Sequence, residues 1–203
     1  MSPPKEKGVF HFDGSNRIVT PLERFAPCTL EAWVQPKFYP KKDSQFVIGS
    51  DIPTKHGLSL GICEAVLCAE YIPGVTFAGA AVPLDRWSHV AAVFGESETR
   101  LYLDGRKVGV GPATKAEGGT TFVIGNVGRD NPINYFVGGV RSVRVTKGER
   151  YKADFVPDPT FAKDIEDAPV KAVLIYDGAA VEGDRVIDLS GAGSHGRWER
   201  MPP

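Results

Sequence analysis

At 203 residues, 42% of them hydrophobic and 24% charged, the chain has enough apolar material for one full core and too much for a disordered tail. Its formal charge of −1, from 24 Lys+Arg against 25 Asp+Glu, includes no dense basic stripe, which argues against a nucleic-acid binder. No apolar run exceeds strand length, so no membrane insertion is expected, and residues 1–5 lead into no apolar signal segment.

The first strand covers residues 9–12, with Phe10 and Phe12 on one face, because strand side chains alternate. Asp13-Gly14-Ser15-Asn16 is a turn and residues 17–20 return as a strand. In the next strand Leu30, Ala32 and Val34 share one face, and Glu31, Trp33 and Gln35 the other. Residues 46–49 form a short strand, 56–62 and 67–71 a hairpin with an irregular turn, and 75–81 a further strand. Residues 87–94 and 100–103 follow. Asp104-Gly105 then marks a hairpin, since a type I′ turn needs φ > 0 at both central residues. Residues 121–124 and 136–145 add two more strands.

Helical periodicity is confined to single turns at 152–155 and 162–167. Residues 170–176 are too apolar to be left as an unpaired edge, so this segment and the Asp188 to Trp198 region are expected to close the same sandwich. The organisation that follows is a leader over residues 1–7 and one domain over 8–203, with 170–203 as its closing strand and tail. The fold class is all-β, a two-sheet antiparallel sandwich of about a dozen strands.

Three cysteines are too few for a disulfide scaffold. Cys63 and Cys68 bracket four residues and would face each other across a short hairpin in an oxidising compartment. The reading preferred from sequence is that all three are small buried hydrophobes. A Glu31–Arg144 ion pair is expected if their strands are neighbours, stabilising by about 0.5–1 kcal/mol if partly exposed. Trp33 and Trp87 are expected in the core between the sheets, and His89 as a hydrogen-bonded structural histidine.

Five pieces in order, F-x-F-D-G-x-N-x-x-V, T-L-E-A-W-V, W-x-H-V-A-A-V, L-Y-L-D-G-x-x-V and G-x-V-x-x-V-R-V, resemble the laminin G-like (concanavalin A-like) jelly-roll family over about residues 8–161. The tail is similar to an "FDEG … DSSGNGxxG" segment of bacterial members, here at the C-terminal end. The resemblance implies a concanavalin A-like jelly roll and a non-catalytic recognition module of a larger bacterial protein. Its expected ligand is a carbohydrate, and the alternative partner is a protein surface. It also implies a secreted or cell-surface location and attachment to other domains. Family members that cleave β-glucans carry E-x-D-x-x-E; this chain has neither that motif nor G-x-S-x-G, so no catalytic residue is assigned.

Sugars stack on exposed aromatics, for which Tyr39, Tyr71, Tyr135, Tyr151 and Trp198 are candidates. The loop with Arg129, Asp130, Asn131, Asn134 and Tyr135 combines donors, acceptors and a ring, and with Tyr71 makes the expected ligand site. Calcium is the one cofactor the resemblance suggests. It needs hard oxygen donors, which Asp13, Asn16 and Asp188 would supply if the terminal strands meet.

Overall fold

The computed structural model describes residues 7–39, 44–50, 57–71, 74–114, 120–127, 134–161 and 170–200, with residues 71 and 74–77 described by backbone alone. In chain order the strands are β1 (Phe10–Asp13), β2 (Asn16–Glu23), β3 (Cys28–Pro36), β4 (Ser44–Gly49), β5 (Ser59–Cys63), β6 (Val66–Tyr71), β7 (Gly74–Ala81) and β8 (Ser88–Phe94). They continue as β9 (Glu98–Leu103), β10 (Arg106–Pro112), β11 (Thr121–Ile124), β12 (Val137–Lys147), β13 (Ala172–Asp177), β14 (Val181–Glu182), β15 (Arg185–Val186) and β16 (Gly196–Arg200). Among the described residues there is no α-helix; the one-turn helix expected at 152–155 is irregular chain with a bend at 152–153, and the one at 162–167 lies outside the described residues.

The strands form two antiparallel sheets. The first runs β1-β12-β3-β8-β9-β10, with β13 also on β12; the second runs β14-β15-β16-β2-β11-β4-β5-β6-β7. The C-terminal segment thus contributes to both: β13 extends the first sheet and β16 pairs with β2 in the second. The core is what alternation demands. Leu30, Ala32 and Val34 of β3 and Val90, Ala92 and Phe94 of β8 meet Ile18, Ile48 and Phe122 of the facing sheet, all fully buried.

Two local devices shape the first sheet. Between Val140 and Ser142 the β12–β3 register shifts at a bulge, so Val140 and Val143 both face the core although three residues apart. The second device is a cover: every residue of β8 is buried, including Ala91 and Val93 on the outer face. A strand buried on both faces needs something over each. Here the chain from Gly148 to Phe161 crosses the outer face, and Tyr151 and Phe155 pack on Ala91, Val93 and Tyr102.

The Asp104-Gly105 turn has φ of 50° and 79°, the type I′ signature expected from its sequence. Gly105 is also required because a side chain there would collide with the Phe155 carbonyl of the cover. The β5–β6 hairpin turns just as tightly through Glu64 and Ala65, both at positive φ, which no glycine announces. This turn places Cys63 opposite Val66 and Cys68 opposite Gly61, diagonal neighbours with Cα atoms 6.0 Å apart, and the two are disulfide-bonded. The unbridged state preferred from sequence is corrected for this pair. Cys28 is a free, fully buried thiol, and burial pushes its pKa up.

Candidate functional site

Two polar constellations stand out, one closed and one open. The closed one lies on the outer face of the first sheet. The bulge in β12 sets Arg144 opposite Glu31, and Glu31 Oε1 accepts from Arg144 Nε at 2.8 Å. Its Oε2 accepts from the Tyr151 hydroxyl at 2.9 Å and lies 3.0 Å from His89 Nε2. Burial raises the Glu31 pKa, but the hydrogen bond from His89 and the charge of Arg144 outweigh it and hold the carboxyl down at about 2. Trp33, Phe155 and Phe161 meet the His89 ring edge-on, and Arg144 lies 4.3 Å over the Phe161 ring.

The cover is tied down over this cluster. Trp33 Nε1 donates to the Asp158 carbonyl at 2.8 Å, Phe155 N to that of Gly105 at 2.9 Å, and Lys107 N to Asp154 Oδ1 at 2.8 Å. Glu31, His89 and Arg144 are therefore shut off from solvent. The expected ion pair exists but is fully buried. Trp33 lies under the cover on the outer face and not between the sheets, a correction that follows from its sharing a face with Glu31. Trp87 is half-buried and lies beneath Arg141, whose guanidinium is 4.5 Å from the ring centre. Sealed, and with a single carboxylate among its described members, the cluster has the chemistry of a structural anchor.

The open constellation is a cleft of about 570 Å³ between β1 of the first sheet and β16, β2 and β14 of the second. Phe10, Val181 and Trp198 give it apolar surface; His11, Asp13 and Arg200 give it polar groups. Trp198 is half-buried on β16, stacked at 6.0 Å on Phe10 and tilted at 5.1 Å against Phe12. Asp13 is held in an Asx turn, its Oδ1 accepting from Ser15 N at 2.9 Å and Ser15 Oγ at 2.7 Å. Its Oδ2 accepts from Arg200 Nη2 at 3.1 Å. Burial raises the Asp13 pKa, and the Ser15 and Arg200 contacts together bring it below the ordinary value. Asn16 is buried and acts as a substitute strand for β1: Oδ1 accepts from Asp13 N and Nδ2 donates to the His11 carbonyl, each at 3.1 Å.

The structure thus brings Asp13 and Asn16 together, while Asp188 belongs to another hydrogen-bond group. Asp188 Oδ1 accepts from Ile175 N and Ser190 N, and Oδ2 from Ser190 Oγ and Ser194 N, all at 2.9 Å. It is the hub of the glycine-rich 188–195 loop. Among the described residues no group of three or more His, Cys, Asp or Glu is placed to hold a metal ion.

Of the expected ligand loop, Arg129, Asp130 and Asn131 lie outside the described residues, as does the side chain of Tyr71. Asn134 is half-buried; Tyr135 is only 5% exposed and bridges to Phe46, which corrects the expectation of an exposed ring there. Tyr39 is half-buried with its hydroxyl on the Val82 carbonyl, and Tyr151 is stacked flat against Phe155 at 3.5 Å. Of the aromatics flagged as stacking surfaces, Trp198 lines the cleft. His11 and Arg200 were not flagged. Arg200 gains its place from the pairing of β16 with β2, and His11 from that of β1 with β12, neither of which a local motif encodes.

Comparison with known proteins agrees with the fold. A crystal structure from Bacteroides ovatus, of a protein provisionally described as carbohydrate binding, matches 100% of this chain at 17% identity and a TM-score of 0.69. This chain spans 62% of that protein's length. A heptameric SAP-like pentraxin from Limulus polyphemus matches 70% of this chain and 77% of its own, at 14% identity and a TM-score of 0.53. Domain 4 of AbnA, an extracellular GH43 arabinanase from Geobacillus stearothermophilus solved with arabinotriose, matches 68% and 70% at 18% identity and a TM-score of 0.50. Among proteins of curated function, none matches the sequence. A family model described as the concanavalin A-like lectin/glucanases superfamily matches residues 12–154, and with that span inside one jelly-roll sandwich the chain belongs to this superfamily.

Proposed function

We propose that this domain is a non-catalytic carbohydrate-binding module and that it holds its glycan in the cleft between β1 and β16. The observation that carries the proposal is Trp198, an aromatic ring lining an open cleft beside a fixed carboxylate and a guanidinium. An indole face takes the apolar C–H face of a sugar ring, and charged hydrogen-bonding groups beside it reach the hydroxyls. The cleft volume falls within the range of small-ligand sites. The lectin-like fold and the carbohydrate-binding description of the Bacteroides ovatus structure support the same direction. The Cys63–Cys68 bridge suits an oxidising compartment, in keeping with a secreted or surface-attached module joined to other domains.

A glycan array tests this, run with calcium and again with a chelator, on the wild type and on Trp198→Ala. Binding that disappears in the variant supports the module and its site, and dependence on calcium would add a metal. A blank array under both conditions would reject the glycan in favour of a protein partner. Release of reducing ends from laminarin, xylan or pectin would reject the non-catalytic assignment.

A further inference from the structure

The charges at the cleft mouth bear on what kind of sugar can enter. Asp13 cannot swing away from the cleft without giving up both bonds from Ser15, so its carboxylate is a fixed feature of the site. Arg200 faces it across the mouth, reaching over 187 residues of sequence to Oδ2. Both side chains remain wet, at 49% and 75% exposure, so a ligand can insert its own hydrogen bonds at little desolvation cost. Arg17 and Arg197 both pair with Glu199, on the opposite face of β16 from Trp198. Both guanidiniums therefore lie on the far side of β16 from the Trp198 ring.

We infer that the cleft selects uncharged sugars over acidic ones, with Asp13 accepting from one ring hydroxyl and Arg200 donating to its neighbour while Trp198 carries the ring. This rests on the glycan reading above and names the chemical class within it. A hydroxyl both donates and accepts, so two adjacent hydroxyls satisfy the carboxylate and the guanidinium together. A uronate, sialate or sulfate offers only acceptors on its charged group. It must compete with Asp13 for Arg200 and then stand beside an unpaired Asp13 carboxylate. Like-charge juxtaposition of this kind is how a site rejects a wrong ligand.

The test uses affinity electrophoresis and titration calorimetry on the whole chain. Neutral probes are arabinotriose, laminarin and xylan; acidic probes are polygalacturonate and sialyllactose. Wild type is expected to bind at least one neutral probe and neither acidic one. Asp13→Asn keeps the shape and an acceptor for Ser15 but removes the charge. It is expected to weaken neutral binding about tenfold, the loss of one charge-assisted hydrogen bond, and to admit an acidic probe. Wild-type binding to an acidic probe that Trp198→Ala abolishes overturns the selectivity and leaves the glycan site standing. Neutral binding unchanged in Asp13→Asn overturns the role of Asp13. Absence of binding to every probe overturns the glycan reading along with the inference.

Discussion

Arg144 of β12 stands directly across from Glu31 of β3, Nε to Oε1 2.8 Å, with neither side chain more than 1% exposed. The pair exists because a bulge at Arg141 resets the alternation of β12, and it is buried because the 148–161 segment covers the sheet. Dehydrating two charges is costly, so the pair is tolerated through its extra bonds to His89 and Tyr151 and adds little net stability. Breaking it is another matter.

Glu31→Met leaves Arg144 buried without its carboxylate and is expected to destabilise the domain by about 3–5 kcal/mol. For a chain of this size that lowers Tm by roughly 10 °C. The Glu31→Met, Arg144→Met double variant recovers much of the loss but not all, because His89 and Tyr151 still lack their acceptor. Urea unfolding of the three proteins measures this. A single variant within about 1 kcal/mol of wild type would show that the cluster holds nothing in place.

Acid should loosen the same cluster. The Glu31 carboxyl is lowered from 4.5 to about 2 on folding, so below pH 4.5 the unfolded chain takes up a proton that the folded chain resists. Relative to a protonated Glu31, the ionised carboxyl contributes on the order of 3 kcal/mol, complete above pH 4.5 and draining away as pH falls towards 2. Asp13 and Glu149, also lowered, act in the same direction. Unfolding free energies taken from pH 7 down to 3 should fall below 4.5. They should fall less steeply in the double variant, and equal slopes would count against Glu31 as the source.

Asn16 is expected to be the clasp of β1. Asn16→Ala removes the acceptor of the Asp13 N–H and the donor to the His11 carbonyl, costing about 2 kcal/mol. Hydrogen exchange at Asp13 should accelerate more than at the β8 amides. Uniform acceleration across the sandwich would mean the loss is global and the clasp is not local.

The strands were legible because a period of two and turn chemistry are local properties. Asp104-Gly105 announced its turn, and Leu30, Ala32 and Val34 announced their buried face. The cover over β8 was written too, less plainly: S-H-V-A-A-V-F puts Ala91 and Val93 on the face that alternation assigns to solvent. The Glu64-Ala65 turn was not, since neither residue is one that φ > 0 favours. Composition alone singled out the 129–135 loop, but composition does not say which way a ring points, and Tyr135 points inward.

The amino-acid order by itself determined that this chain would be a sandwich, which residues would form its inner layer, and where most hairpins would turn. The tertiary structure alone decided that Arg200 meets Asp13, that Trp198 leans on Phe10, and that Glu31 disappears beneath residues 148–161. Each of those meetings joins segments far apart in sequence, through strand register and one bulge. Register is fixed by how the whole core packs, which no short window of sequence contains.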